Sequence, residues 1–136
     1  MFGEEALYGV KEVGIDAKRR IILPSFTKAE QVDRLVIQKD EEELKILPED
    51  RINKIIEDMQ SALFLAKSEQ EFRMLKKRLD KFCVSILSVR QCDGQRRLLL
   101  PDNYFESEDT NKIMVVGFKD HVKLFTKKRY EDYLKG

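Results

Sequence analysis

The sequence predicts an α+β fold, mainly β, in which two tandem hairpin modules share one small barrel and are joined by a helical hairpin. Three observations carry that expectation. A decapeptide recurs after 77 residues. Short apolar runs broken by turn residues flank each copy, and two apolar stripes at helical spacing lie between the copies.

The first copy of the decapeptide, residues 15–24, reads IDAKRRIILP and the second, residues 92–101, reads CDGQRRLLLP. Asp16, Arg19, Arg20, Leu23 and Pro24 recur as Asp93, Arg96, Arg97, Leu100 and Pro101, while Ile21 and Ile22 become Leu98 and Leu99. Beyond the decapeptide the match continues at a spacing of 78: Phe26 falls on Tyr104, Arg34 to Ile37 on Lys112 to Val115, Lys45 to Leu47 on Lys123 to Phe125, and Arg51 on Arg129. Conserving order, polarity and spacing over this length points to an internal duplication.

Each copy has the same expected elements. A strand leads into a polar turn at the Asp-x-x-Arg-Arg segment. A second strand, Arg20–Leu23 or Arg97–Leu100, stops at a proline that cannot extend a ladder. A short helical or irregular stretch follows. Two further strands come next, Arg34–Gln38 with Leu44–Leu47 and Lys112–Gly117 with Val122–Phe125. The segments 39–43 and 118–121 form their hairpin turns. Between the copies, Pro48, Glu49 and Asp50 open a helix, because proline fits the first turn and acids favour the positive end of the dipole. Ile52, Ile55, Ile56, Met59 and Leu63 make one apolar face. Ser68 and Glu71 form a capping box, and Phe72, Leu75, Leu79, Phe82, Cys83 and Ile86 give a second face. Residues 126–134 start another helix. The expected units are 1–50, a connector at 51–87, and 88–136. One module is too small to bury an adequate core alone, so the two are expected to pair their hairpins about a pseudo-twofold axis, with both Asp-x-x-Arg-Arg turns on one face.

Composition limits the functional classes. Of 136 residues, 42% are apolar and 38% charged, but the net charge is only +1, so a nucleic-acid partner would depend on where the cations sit. Two cysteines, Cys83 and Cys92, and a single histidine, His121, make neither a disulfide framework nor a zinc set, so no metal or cofactor is expected. Cys83 is expected as a small core residue. There is no nucleophile motif and no phosphate-binding glycine loop, which argues against an enzyme and a small-molecule substrate. No run is long enough for a bilayer, and the acidic N-terminal residues are unlike a signal peptide. The chain is expected to be cytoplasmic and reduced.

The sharpest feature is the turn Lys18-Arg19-Arg20 with its repeat Gln95-Arg96-Arg97. Guanidinium groups grip phosphate and the guanine edge through paired hydrogen bonds, and a β-hairpin fits the major groove. A solubilising hairpin tip needs no such registration between copies. Asp16 and Asp93 read as turn braces that bind backbone N–H groups or an arginine of their own motif, and not as an acid/base pair. The basic runs 76–78 and 127–129 read as solvated helix faces, with phosphate contact, or pairing to the acidic 41–43 turn of another subunit, as the rivals.

The paired Asp-x-x-x-Arg motifs, Asp16 to Arg20 followed by Ile-Ile-Leu-Pro24 and Asp93 to Arg97 followed by Leu-Leu-Leu-Pro101, resemble those of the MraZ family in the AbrB/SpoVT swapped-hairpin superfamily. The likeness covers nearly the whole chain, from Met1-Phe2 through the central helices to the hairpin at 115–125. It implies two tandem swapped-hairpin modules. It also implies a bacterial transcriptional regulator of the division and cell-wall gene cluster, which assembles into rings and binds closely spaced direct repeats in promoter DNA. Localisation would be cytoplasmic and nucleoid-associated. Carried over by position, the DNA-facing residues are Lys18, Arg20 and Arg97. The family usually has glycine, sometimes asparagine, where Arg19 and Arg96 stand; if that position is left-handed, arginine costs about 1–2 kcal/mol there. The rival reading is a protein-binding antitoxin of the AbrB superfamily. Such antitoxins usually carry a disordered toxin-binding tail, whereas this sequence closes on an expected helix.

Overall fold

The computed structural model describes residues 7–101 and 111–136. The match of Phe26 to Tyr104 and the Met1-Phe2 start lie outside those residues. The fold is mixed α+β and mainly strand. In chain order it comprises β1 (Leu7–Gly14), β2 (Arg20–Ile22), two short 3-10 turns (Ser25–Thr27 and Ala29–Gln31), β3 (Leu35–Asp40), β4 (Glu43–Pro48), α1 (Glu49–Phe64), α2 (Glu69–Val84), β5 (Ile86–Arg90), β6 (Arg97–Leu99), β7 (Lys112–Lys119), β8 (Val122–Thr126) and α3 (Lys127–Lys135).

Six strands form one antiparallel sheet in the order β1-β7-β8-β4-β3-β5, and β2 pairs with β6 as a separate two-stranded ribbon. Exchanging each strand for its sequence repeat reverses this order without changing it. The first strand of the N-terminal half pairs with β7, and the first strand of the C-terminal half, β5, pairs with β3. At the centre of the sheet Lys45 faces its own repeat, Lys123; at the centre of the ribbon Ile21 faces Leu98. The barrel expected from the sequence is open among the described residues. The ribbon is three residues long on each side, bounded by a left-handed arginine and by a strand end running into proline, so it covers the sheet without bridging β1 to β5.

Between ribbon and sheet lies one core. Ile21, Leu23, Leu98 and Leu100 from the ribbon pack with Leu35, Ile37, Leu44, Ile46, Ile113, Val115, Val122 and Leu124 from the sheet, and all are buried. Strand alternation explains the choice, because inward residues recur every second position.

The hairpin turns are tighter than the sequence indicates. Strands run to Asp40 and Lys119 and resume at Glu43 and Val122, with Glu41 and Lys119 at positive φ. Helix α1 begins directly after Pro48, with Glu49 and Asp50 in its first turn. Ile52 of α1 is buried with Val36 and Leu47, and Ile56, Phe82 and Ile86 pack beside them. In α2, Ser68 Oγ accepts from the Glu71 N–H at 3.1 Å, and Glu71 Oε2 accepts in return from the Lys67 N–H at 3.3 Å.

Two expectations are corrected here, and the solvated-face reading of 127–129 holds for Lys127 and Lys128 but not for Arg129. Ile86 does not extend the α2 stripe, because the helix ends at Val84 and Ile86 opens β5. Cys83 is exposed, since the buried face of α2 runs through Leu79; the core cysteine is Cys92, whose thiol burial pushes up to about 11. Arg129 pairs with Glu42 inside the same chain, as its repeat Arg51 pairs with Asp120 at 2.9 Å, so these acidic turns are engaged within the chain by the helix that follows the opposite half's strands.

Candidate nucleic-acid interface

The two Asp-x-x-Arg-Arg segments form the same turn, held by the same aspartate-centred bonds. Asp16 Oδ1 accepts from the N–H groups of Lys18 and Arg20, both at 2.9 Å, and the Arg19 N–H donates to the Asp16 carbonyl at 3.0 Å. In the repeat, Asp93 Oδ1 accepts from Gln95 N–H at 2.9 Å and Arg97 N–H at 3.0 Å, and Arg96 N–H donates to the Asp93 carbonyl at 3.0 Å. A carboxylate that accepts backbone N–H groups in this way fixes a turn that alanine could not.

The other carboxylate oxygen holds the motif arginine. Arg20 Nε donates to Asp16 Oδ2 at 2.9 Å, and Arg97 Nε donates to Asp93 Oδ2 at 2.5 Å. A guanidinium has five N–H donors, and the four on the Nη atoms lie outside that bond. The backbone N–H of the motif arginine is the largest of the effects that hold each aspartate below its ordinary 3.8; desolvation opposes it, and the arginine side chain and the N–H of Lys18 or Gln95 add to the lowering. Both carboxylates are therefore ionised at neutral pH and the arginines are held in place by charge-assisted bonds.

Each turn is also clamped by the opposite half. The Leu100 N–H donates to the Arg19 carbonyl and the Leu23 N–H to the Arg96 carbonyl, both at 2.9 Å. Arg19 and Arg96 are left-handed, with φ of 64° and 62°. The left-handed position expected from the resemblance to cost an arginine strain is therefore left-handed in both copies. Arg96 Nε donates to the Leu23 carbonyl at 2.8 Å and Nη1 lies 3.9 Å from Glu30 Oε2, so this side chain is tied to the opposite half.

Because β2 and β6 are antiparallel, the two turns sit at opposite ends of the ribbon, while Arg20 and Arg97 share its outer face. Arg20 lies beside Leu99 and Ile22 beside Arg97. Ladder geometry puts the diagonal pair Arg20 and Arg97 about 7–8 Å apart. Lys18 and Gln95 are exposed at the two turns. Together the outer face carries two braced arginines, two exposed aliphatic side chains, and a polar turn at each end.

Ile22 and Leu99 were not among the residues that sequence reasoning selected. They are 53% and 38% exposed, whereas their neighbours Ile21 and Leu98 are buried. The period of two along Arg-Ile-Ile-Leu and Arg-Leu-Leu-Leu was the available signal. The basic run 76–78 lies exposed on α2, remote in sequence from the ribbon. Among the described residues no group of three His, Cys, Asp or Glu side chains could hold a metal ion, and no described helix is long and apolar enough to cross a membrane. No family model matches the chain.

Proposed function

We propose that this protein is a sequence-specific, double-stranded-DNA-binding transcriptional regulator of MraZ type, and that Arg20 and Arg97 are its principal DNA contacts. The strand exchange between halves, β1 on β7 and β5 on β3, supports reading the chain as two tandem swapped-hairpin modules. The observation that carries the function is the pair of Asp-braced arginines at repeat-equivalent places on one exposed face. A two-stranded ribbon enters the major groove, and a guanidinium fork there bonds guanine O6 and N7 or a phosphate. Lys18 and Gln95, exposed at the two turns, serve phosphate positioning, assisted by Arg19 and Arg96, which are half-buried beside them, Arg96 being anchored to the opposite half.

A net charge of +1 gives one protomer little general attraction to DNA. Affinity then comes from several protomers engaging neighbouring sites, which is how a homo-oligomer on direct repeats would work. Such a protein acts in the cytoplasm on nucleoid DNA and needs no cofactor.

Selection of bound duplexes from a random pool tests the reading. The expected outcome is enrichment of one short guanine-containing motif, recurring within single recovered duplexes. Recovery of a sequence-unrelated pool, with no duplex retained above 150 mM salt, would instead favour a protein-binding role such as the antitoxin type.

A further inference from the structure

We propose that Ile22 and Leu99 are specificity-determining residues that contact the 5-methyl groups of thymines; this rests on the DNA-binding reading above. The two residues are equivalent in the duplication and lie on the ribbon's outer face, each directly across from a motif arginine: Ile22 from Arg97, Leu99 from Arg20. Both are exposed, while the ribbon's other face is fully committed to the core through Ile21, Leu23, Leu98 and Leu100. The apolar centre is thus bracketed by two cations held in position by Asp16 and Asp93.

That charge pattern selects the occupant. A protein partner that covers Ile22 and Leu99 must also bury two guanidinium groups already paired with carboxylates. A major groove offers acceptors to the arginines and, at each thymine, one apolar group on the same groove floor. It is the only apolar group that the four bases present there. A ribbon whose arginines reach guanine or phosphate brings the intervening aliphatics to the base edges at the same depth. Ile22 and Leu99 are diagonal neighbours about 7–8 Å apart, and successive base pairs rise about 3.4 Å. The two thymines therefore lie about two base steps apart, on either strand. The arginines supply affinity and guanine preference, and the aliphatic pair supplies discrimination between thymine and cytosine.

Replacing thymine by deoxyuridine removes the methyl and nothing else. The probe is the tightest duplex recovered by selection, with each thymine replaced in turn and binding read by anisotropy. For the parent protein, two positions about two steps apart should each weaken binding roughly three- to fivefold, the effect of one buried methyl group. An Ile22→Ala/Leu99→Ala variant should bind the thymine duplex more weakly and be indifferent to deoxyuridine. The scan on the parent protein alone is decisive if that variant fails to fold: no sensitive thymine overturns the proposal. Unchanged deoxyuridine sensitivity in a folded variant also overturns it, as does a variant that binds DNA normally but loses self-association by light scattering. Tight, sequence-specific binding without methyl sensitivity defeats this inference and leaves the DNA-binding reading intact, whereas absence of any selected duplex defeats both.

Discussion

At the residue scale, the left-handed arginines are the most unusual feature of the candidate site. Few non-glycine residues adopt φ near +60°, yet Arg19 and Arg96 both do. For Arg96 part of the cost is offset by the bond from Nε to the Leu23 carbonyl. Replacing Arg96 with alanine removes the bond and keeps the strain, while glycine removes both. Arg96→Gly should therefore be more stable than Arg96→Ala by about 1 kcal/mol, after allowing for the chain entropy of glycine. Parallel denaturant titrations check this, and equal stabilities would mean that the left-handed turn is not strained. The bracing aspartates set an acid limit. Because their folded pKa values are lowered from 3.8, their contribution to stability is complete above that value and is lost as pH falls through the lower folded value. Melting temperature should thus be insensitive to these groups from pH 5 to 8 and fall below about pH 4. An Asp16→Asn/Asp93→Asn variant should show a shallower acid decline; an unchanged decline would mean that the carboxylates do not brace the turns.

At the element scale, most strands and both long helices were legible because each carries a period that its environment enforces. The α1 stripe from Ile52 to Leu63 has helical spacing because one side faces α2 and the sheet. The ribbon shows how far a period reaches. Ile21 and Ile22 look alike as residue types, and only the pairing of Ile21 with Leu98 over the core fixes which of them points outward. The end of α2 was not legible, because Ile86 satisfies the helical stripe and the β5 strand equally well. Cys83 failed for a related reason: it lies one position from the Phe82 stripe, and α2 buries a narrower face than its apolar residues suggest. Nor could the sequence show why β1 needs Gly9. A Cβ there would lie 2.8 Å from the Phe26 ring, and its φ of 155° disfavours other residues. Gly9→Ala should therefore destabilise the protein by about 1–3 kcal/mol through overpacking. A variant with parent-like stability would show that the ring moves aside freely.

At the scale of the whole molecule, the two halves are not separable bodies. Their ribbon strands share one ladder, their sheet strands interleave, and reciprocal ion pairs, Arg51 with Asp120 and Arg129 with Glu42, tie each half's helix to the other half's turn. These pairs are partly exposed and contribute little individually; the common core dominates. Leu98→Ala, at the centre of the ribbon and fully buried, should cost about 2–5 kcal/mol. It should lower the stability of both halves in one transition, seen at the same denaturant midpoint by probes in the N- and C-terminal halves. Two separate midpoints would mean that the halves fold independently. The duplication made this symmetry legible, because equal spacing of matched residues implied equal environments. The opposite placement of the two turns was not, since it follows from the antiparallel direction of a pairing between halves.

The same symmetry makes the central functional claim accessible to a single experiment: a salt series of anisotropy titrations on the parent protein, Arg20→Ala, Arg97→Ala and Lys76→Ala with the selected duplex. Each motif arginine should be worth about 1–3 kcal/mol of binding. A lost phosphate contact should also lower the slope of log affinity against log salt by about one for each engaged subunit. Lys76, exposed on α2, should change neither quantity appreciably. Folding should be retained in all three variants, because Arg20 and Arg97 lie on the ribbon face away from the core and Lys76 is exposed on α2. Weakened binding is expected for Arg20→Ala and Arg97→Ala, and parent-like binding for Lys76→Ala. Equal losses for all three variants, or full-strength binding by an Arg20→Ala/Arg97→Ala double variant, would show that the ribbon arginines are not the DNA contacts.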